Sequence, residues 1–285
     1  MTMSRIVYVN GEYLPEAEAK ISVFDRGFLM ADAVYEVTSI INGKMLDFAG
    51  HAARLARSLG EIDMKQPCTI AELEAIHREM IARNDLSEGL IYLQVTRGVA
   101  DRDFAFPDVE PSMVLFTQAK NVLNAPLAET GMKVISIPDI RWGRRDIKTV
   151  QLLAPSLGKM AAKAAGADDA WLVEDGFVTE GTSNNAYIVT QEGTIVTRDL
   201  SHDILSGITR EAVLRFAAEA QIKVEERPFT IDEAKAAKEA FVTSATTFVG
   251  PVVAIDGIEI GDGKVGATAR RLREIYLAES LKSAI

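Results

Sequence analysis

Apolar positions along the chain change period several times, and each change marks an element. Ile6, Val7, Tyr8 and Val9 form a short apolar run closed by Asn10-Gly11. That pair tolerates the positive φ angles of a two-residue hairpin turn, so Glu12, Tyr13 and Leu14 return as a second strand. Residues 34–41 alternate as a strand, and Asn42-Gly43 turns them into Lys44, Met45 and Leu46. On that strand Tyr35, Val37 and Ser39 face one way, and Glu36 and Thr38 the other. The period then lengthens. Asp47 stands as the N-cap of a helix that runs to about residue 59 with Ala52, Leu55 and Leu59 inward. Thr69 and Glu72 form a capping box, opening a helix with Leu73, Ile76, Met80 and Ile81 on one stripe. Strands at 90–96 and 113–117 flank the polar stretch 101–111.

Residues 119–131 mix Asn, Pro, Ala and Gly and read as a linker. They separate a small N-terminal domain, 1–118, from a larger C-terminal domain, 132–285. In the latter, strands are expected near 133–137, 170–173, 186–189, 194–196, 240–243 and 252–255. Helices are expected at about 155–165, 208–220 and 267–282, with a short one capped by Thr230 and Glu233. Helices and hairpins alternate in both halves. Two mixed α/β domains of the α+β type fit this better than one doubly wound sheet.

Composition narrows the setting. With 285 residues and 48% hydrophobic positions, two such domains can be built without disulfides or structural metals. The single cysteine, Cys68, cannot form an internal bridge and favours a reducing compartment. The N-terminal residues lead into a strand-like run, not the apolar core of a signal peptide. The longest uncharged stretch, 240–255, is too short and polar to span a membrane. A net charge of -10 argues against a nucleic-acid partner. A soluble, cytoplasmic protein is expected, without membrane association.

The common chemical fingerprints are absent. His51, His77 and His202 lack metal-ligand spacing, so no metal is expected, and no G-x-S-x-G, P-loop or G-x-G-x-x-G occurs. Taken alone, Lys148 reads as a solvated loop charge and Glu180 as an exposed acid after the Asp175-Gly176 turn. Tyr35 reads as a core aromatic. Arg54 shares a helical stripe with His51 and Ser58 and reads as the wet face of an amphipathic helix.

An ordered series of short strings changes these readings. Asp25-Arg26-Gly27, Val34-Tyr35-Glu36-Val37, His51-Ala52-Ala53-Arg54-Leu55 and Asp146-Ile147-Lys148 come first. Thr179-Glu180-Gly181-Thr182-Ser183-Asn184, Gly207-Ile208-Thr209-Arg210 and Phe241-Val242-Thr243-Ser244 follow. In this order they resemble the fold-type IV pyridoxal-phosphate enzymes, or class IV aminotransferases, from about Tyr8 to the C-terminal helix. The resemblance is nearest to the D-amino-acid branch. It implies a two-domain α/β fold, pyridoxal 5'-phosphate as cofactor, and a homodimer whose active site lies between the domains and is completed by the partner's loop.

Residue roles follow from the resemblance. Lys148 would hold the cofactor as a Schiff base and shuttle the proton, which needs an amine of lowered pKa. Arg141, Arg144 and Arg145 just upstream are contributors to that lowering, with Asp146 acting against them. Glu180 would pair with the pyridine nitrogen and keep it protonated. Arg54 would grip the phosphate. A helix opening at Gly207, Ile208 and Thr209, with Leu205 just before it, would offer backbone N–H groups to the same phosphate. Ser244 and Thr246 complete the cofactor set, with Ala245 where many members carry Thr. For the substrate, Tyr35 and Val37 share a strand face, and Arg102 would meet the donor carboxylate. Phe104 stands where D-amino-acid transaminases carry a His.

The expected reaction is amino transfer from a D-amino acid of the D-alanine or D-glutamate type to a 2-keto acid. Leu153 stands five residues after the lysine, where branched-chain transaminases typically carry a Tyr, and Gln94-Val95-Thr96-Arg97-Gly98 resembles the D-amino-acid branch. An (R)-selective amine transaminase is the next reading, since Phe104 makes one side of the pocket less polar. A branched-chain L-amino-acid transaminase, an aminodeoxychorismate-lyase-like enzyme and a cofactor-free binding protein follow.

Overall fold

The structure is a computed structural model and describes residues 4–285. It divides into two compact units. The first is built from the chain up to Val122, together with residues 147–151 and 283–285.

In chain order this unit contains β1 (Ile6–Val9), β2 (Glu12–Pro15), α1 (Arg26–Met30), β3 (Ala33–Ile41), β4 (Lys44–Met45), α2 (Phe48–Gly60), α3 (Ile70–Arg83), β5 (Glu88–Thr96) and β6 (Ser112–Ala119). The strands form one antiparallel sheet in the order β2-β1-β6-β5-β3-β4. Two-residue turns at Asn10-Gly11 and Asn42-Gly43 have the positive φ angles their sequence suggests. Helices α2 and α3 cover one face of the sheet with Leu55, Leu59, Leu73 and Met80, packed on Ile40, Ile91, Leu93 and Leu115. The other face carries a stacked row, Tyr35 on Tyr92 at 5.5 Å and Tyr92 on Phe116 at 4.8 Å.

The Thr69–Glu72 capping box forms. Asp47 does not cap by its side chain: it is left-handed, at φ 52, without a side-chain cap hydrogen bond. The chain must reverse sharply from β4 into α2, and Asp is one of the few residues that adopts this conformation cheaply.

The second unit takes residues 123–146 and 152–282. Its elements are α4 (Pro126–Thr130), β7 (Met132–Pro138), α5 (Leu153–Ala164), β8 (Asp169–Glu174), β9 (Phe177–Gly181), β10 (Asn185–Val189), β11 (Ile195–Thr197), α6 (Ile208–Glu219), β12 (Val224–Glu226), α7 (Ile231–Lys235), β13 (Glu239–Ser244), β14 (Phe248–Ile255), β15 (Ile258–Glu259) and α8 (Ala267–Ser283). The strands make a mixed sheet in the order β12-β11-β10-β13-β14-β7-β8-β9, with β15 on β14. A tight turn, Gly181 N donating to Asn184 O at 2.8 Å, leads from the last strand of that path back to β10, so the sheet curls on itself. Trp171, Phe229, Val242 and Ile255 fill its core.

Two differences from the sequence reading bear on the site. Strand β9 was not expected, because Phe-Val-Thr-Glu-Gly has no apolar alternation. It forms as the return arm of a hairpin whose turn, Asp175-Gly176, has φ 51 and 83. The stretch 119–131, read as linker, includes the end of β6 and the Pro-initiated α4.

Candidate active site

Lys148 lies on a connection that the first unit captures. Tyr35 N donates to Lys148 O at 3.0 Å, Val150 N donates to Ala33 O at 3.1 Å, and Val34 bridges Thr149. The segment thus lies along β3 as a short extra strand, which fixes the Lys148 backbone. Its Nζ stands 4.2 Å from the centroid of the Tyr35 ring. No carboxylate among the described residues forms an ion pair with it.

On the opposite face of β3, Glu36 is buried under α2. Arg54 donates to it twice, Nε to Oε1 and Nη2 to Oε2, both at 2.7 Å, and His51 Nδ1 lies 2.8 Å from Oε2. The His51, Arg54 and Ser58 stripe is therefore buried, not solvated. Burial alone would raise the Glu36 carboxyl, but Arg54 and His51 more than reverse this and hold it at about 2. With Glu36 ionised, His51 Nδ1 carries the shared proton.

The folded value lies below the ordinary 4.5, so the stabilisation is complete above that pH and is lost as pH falls towards about 2. Glu36→Gln should lower stability by about 2–3 kcal/mol, below the full cost of a broken buried pair because Gln still accepts a hydrogen bond. It should also flatten the acid limb over that window. Urea unfolding from neutral to acid pH measures both, and an unchanged acid limb would contradict the assignment.

The second unit supplies a different buried carboxylate. Glu180 sits on β9, 5% exposed, so the exposed-turn reading fails. Its Oε2 accepts from Asn185 Nδ2 at 3.0 Å and from Leu205 N at 3.2 Å. Its Oε1 accepts from Arg141 Nη1. Burial pushes the Glu180 carboxyl up, against the pull of Arg141. Burial would lower the Arg141 guanidinium, but Glu180 and Asp139 outweigh it and leave it raised. Arg141 thus sits between two acidic side chains, Asp139 and Glu180, and links them.

Arg141, Arg144 and Arg145 do not serve as unpaired positive charges beside the lysine. Arg141 is bound to Asp139 and Glu180, Arg144 to Asp146, and Arg145 to Glu174 through two hydrogen bonds of 2.6 and 2.7 Å. Each of these three arginines has an acidic partner in the same unit.

Asn185 ties the phosphate candidates to this carboxylate. Its Nδ2 also donates to Leu205 O at 2.9 Å, just before α6. Gly207 is the N-cap of α6 and makes no side-chain cap bond, so the first N–H groups of that helix have no side-chain cap acceptor there. A Cβ at Gly207 would lie 2.1 Å from Asn185 Oδ1, so only glycine allows this approach. Ile208 and the buried Thr209 open the helix. Ser244 ends β13 with its Oγ accepting from Thr247 N at 3.2 Å, and Thr246 lies in the same turn. In the first unit, Val37 shares the Tyr35 face, while Arg102 and Phe104 lie on an exposed loop, the guanidinium 5.5 Å from the ring.

The sequence reading gave no role to Glu36, His51 or Asn185, and misjudged Arg141. A polar residue at an inward position of a strand was the available signal for Glu36. An Asn opening an apolar strand was the signal for Asn185.

Comparison with known proteins completes the picture. A D-alanine aminotransferase of Staphylococcus aureus (strain N315) is 38% identical over 270 residues, covering 94% of this chain and 95% of that protein. A D-alanine aminotransferase of Bacillus licheniformis is 37% identical, covering 97% and 99%. Among solved structures, the T.th. branched-chain amino acid aminotransferase with pyridoxamine 5'-phosphate matches at TM-score 0.89 and 28% identity, over 98% of this chain and 95% of that one. The family model for amino-transferase class IV matches residues 33–255. With that span and these relatives, the chain belongs to the class IV aminotransferases and is a pyridoxal-phosphate-dependent transaminase.

Proposed function

We propose that this transaminase takes its amino group from a D-amino acid of the D-alanine or D-glutamate type and passes it to a 2-keto acid. The observation that carries this is near end-to-end similarity to D-alanine aminotransferases. The branched-chain enzyme similar in fold is less similar in sequence. Leu153 in place of the branched-chain Tyr points the same way.

The residues fit the cofactor. When bound, pyridoxal phosphate supplies an electron-withdrawing ring that takes up the electron pair left at the donor Cα. Lys148 Nζ, with no carboxylate partner among the described residues, is suited to hold the cofactor covalently and then to carry the proton between the donor Cα and C4'. Glu180 would hold a proton on the ring nitrogen; its Oε1 has fewer protein donors than its Oε2 and so has room for a cationic partner. In the second unit the α6 N-terminus at Gly207, Ile208 and Thr209, with Leu205, Ser244 and Thr246, would hold a phosphate group; in the first unit Arg54 is the guanidinium suited to a phosphate. Tyr35, Val37, Arg102 and Phe104 shape the donor side.

The protein works in the cytoplasm as a homodimer in this reading. Among the described residues, no helix is long and apolar enough to cross a membrane. Helix α5 presents Leu153, Leu157 and Met160 on one stripe, 75%, 53% and 61% exposed, a surface that monomers seldom leave to water. Sedimentation equilibrium returning a 31.0 kDa particle would contradict the dimer.

Arg102 and Phe104 set the donor preference. Arg102→Ala should raise KM for D-alanine by roughly tenfold or more, the loss of one hydrogen bond between charged groups. Side activity on (R)-1-phenylethylamine, which has no carboxylate, should change little. Equal losses on both donors would remove Arg102 from carboxylate binding.

A further inference from the structure

The Asp25-Arg26-Gly27 turn is a prominent string of the sequence that no step above uses. We propose that this turn, together with Arg97, braces the loop carrying Arg102, so that Arg26 and Arg97 are positioning residues for donor recognition. The proposal rests on the donor role given to Arg102 above.

Arg26 and Arg97 are buried, 2% and 4% exposed, beneath a loop that is itself exposed. Both donate Nε to one oxygen, Asp32 Oδ2, at 2.8 and 2.7 Å. Two guanidinium groups against one carboxylate leave a surplus positive charge away from water, which other acceptors must absorb. Arg97 Nη1 and Nη2 take Asp63 O at 3.0 Å and Ile62 O at 2.7 Å. The remaining acceptors belong to the loop. Arg26 Nη1 donates to Asp103 O, and the Phe106 ring lies over Arg97 with its centroid 3.5 Å from Cζ. Asp103 is the residue between Arg102 and Phe104, so the brace grips the loop at the position that aims both side chains.

Each residue of the turn contributes. Asp25 accepts from Gly27 N at 2.8 Å and from Thr96 Oγ1 at 2.9 Å, pinning the turn to the end of β5. Gly27 permits that contact, since a Cβ there would lie 2.4 Å from Thr96 Cγ2. Arg26 N donates to Gly98 O at 2.9 Å, and Asp25 bridges Val99, so the turn lies beside the start of the loop. Gly98, at φ +104, closes the base: a Cβ would lie 2.1 Å from Glu110 O. A purely apolar core would serve stability as well. What two buried arginines add is directional contact with one loop.

The test uses the holoenzyme with Arg26→Ala and Phe106→Ala, each alone and combined with Arg102→Ala. With D-alanine as donor, each single variant should raise KM by roughly tenfold, the equivalent of one lost charged hydrogen bond, and move kcat by less than about threefold. Hydrogen exchange should quicken in peptides covering 99–106 and not in those covering β9. On the Arg102→Ala background neither change should raise KM further, since a loop without its guanidinium has nothing left to aim. An unchanged KM in both single variants, or additive losses in the doubles, overturns the brace. If Arg26→Ala does not fold, Phe106→Ala decides on the same readouts, because its side chain is exposed. If Arg102→Ala itself leaves KM unchanged, the donor reading fails and takes the brace with it. That outcome is distinct from a brace that fails while Arg102 matters.

Discussion

Lys148→Ala should lose transamination by at least about 10³-fold, because the substitution removes the nucleophile and the proton carrier together. The protein should still fold. What Lys148 gives the fold is its backbone, which accepts from Tyr35 N at 3.0 Å, and alanine keeps this. The lost side chain removes only the contact with the Tyr35 ring, an effect of about 1 kcal/mol or less. Part of the cofactor affinity should survive through the phosphate contacts. In the unmutated enzyme, borohydride should abolish the visible absorbance and leave the cofactor attached to Lys148. Peptide mass spectrometry finding it on another lysine would overturn the assignment.

Glu180→Gln should lower turnover by about 10² to 10³, the range seen when one preorganised electrostatic partner is removed. Cofactor affinity should fall less. The amide keeps the shape and can still accept from Asn185 or Leu205, but it cannot hold a proton on the ring nitrogen when electron density builds there. Arg141 keeps Asp139 as partner, so the local fold should persist. A turnover number within a factor of about two of the original would show the role given to Glu180 to be wrong.

What the sequence made legible follows from how local each signal is. The Asn-Gly hairpins, the Thr69–Glu72 capping box and the α6 start at Gly207 rest on a few adjacent residues, and all appear in the fold. Strand β9 has no such signal: it owes its place to pairing with β8, and Glu180 is buried only because that pairing forms. The family resemblance pointed to Lys148, Arg54 and Glu180, yet it did not show what holds them. Glu36 beneath Arg54, and Asn185 between Glu180 and Leu205, are joined across 18 and 20 residues, distances at which spacing carries no information. The arginines before Lys148 show the opposite failure. Their proximity in sequence suggested a field on the lysine, whereas each is matched by a carboxylate once the chain is folded.

The donor claim is tested most directly by initial rates of the purified enzyme with 2-oxoglutarate or pyruvate as acceptor and a panel of D-amino acids, L-amino acids and (R)-amines. D-alanine or D-glutamate should be the fastest donor, with a high KM because Phe104 cannot supply the hydrogen bond of a histidine, and (R)-1-phenylethylamine should react slowly. Faster turnover of L-leucine or L-isoleucine than of any D-amino acid would contradict the account.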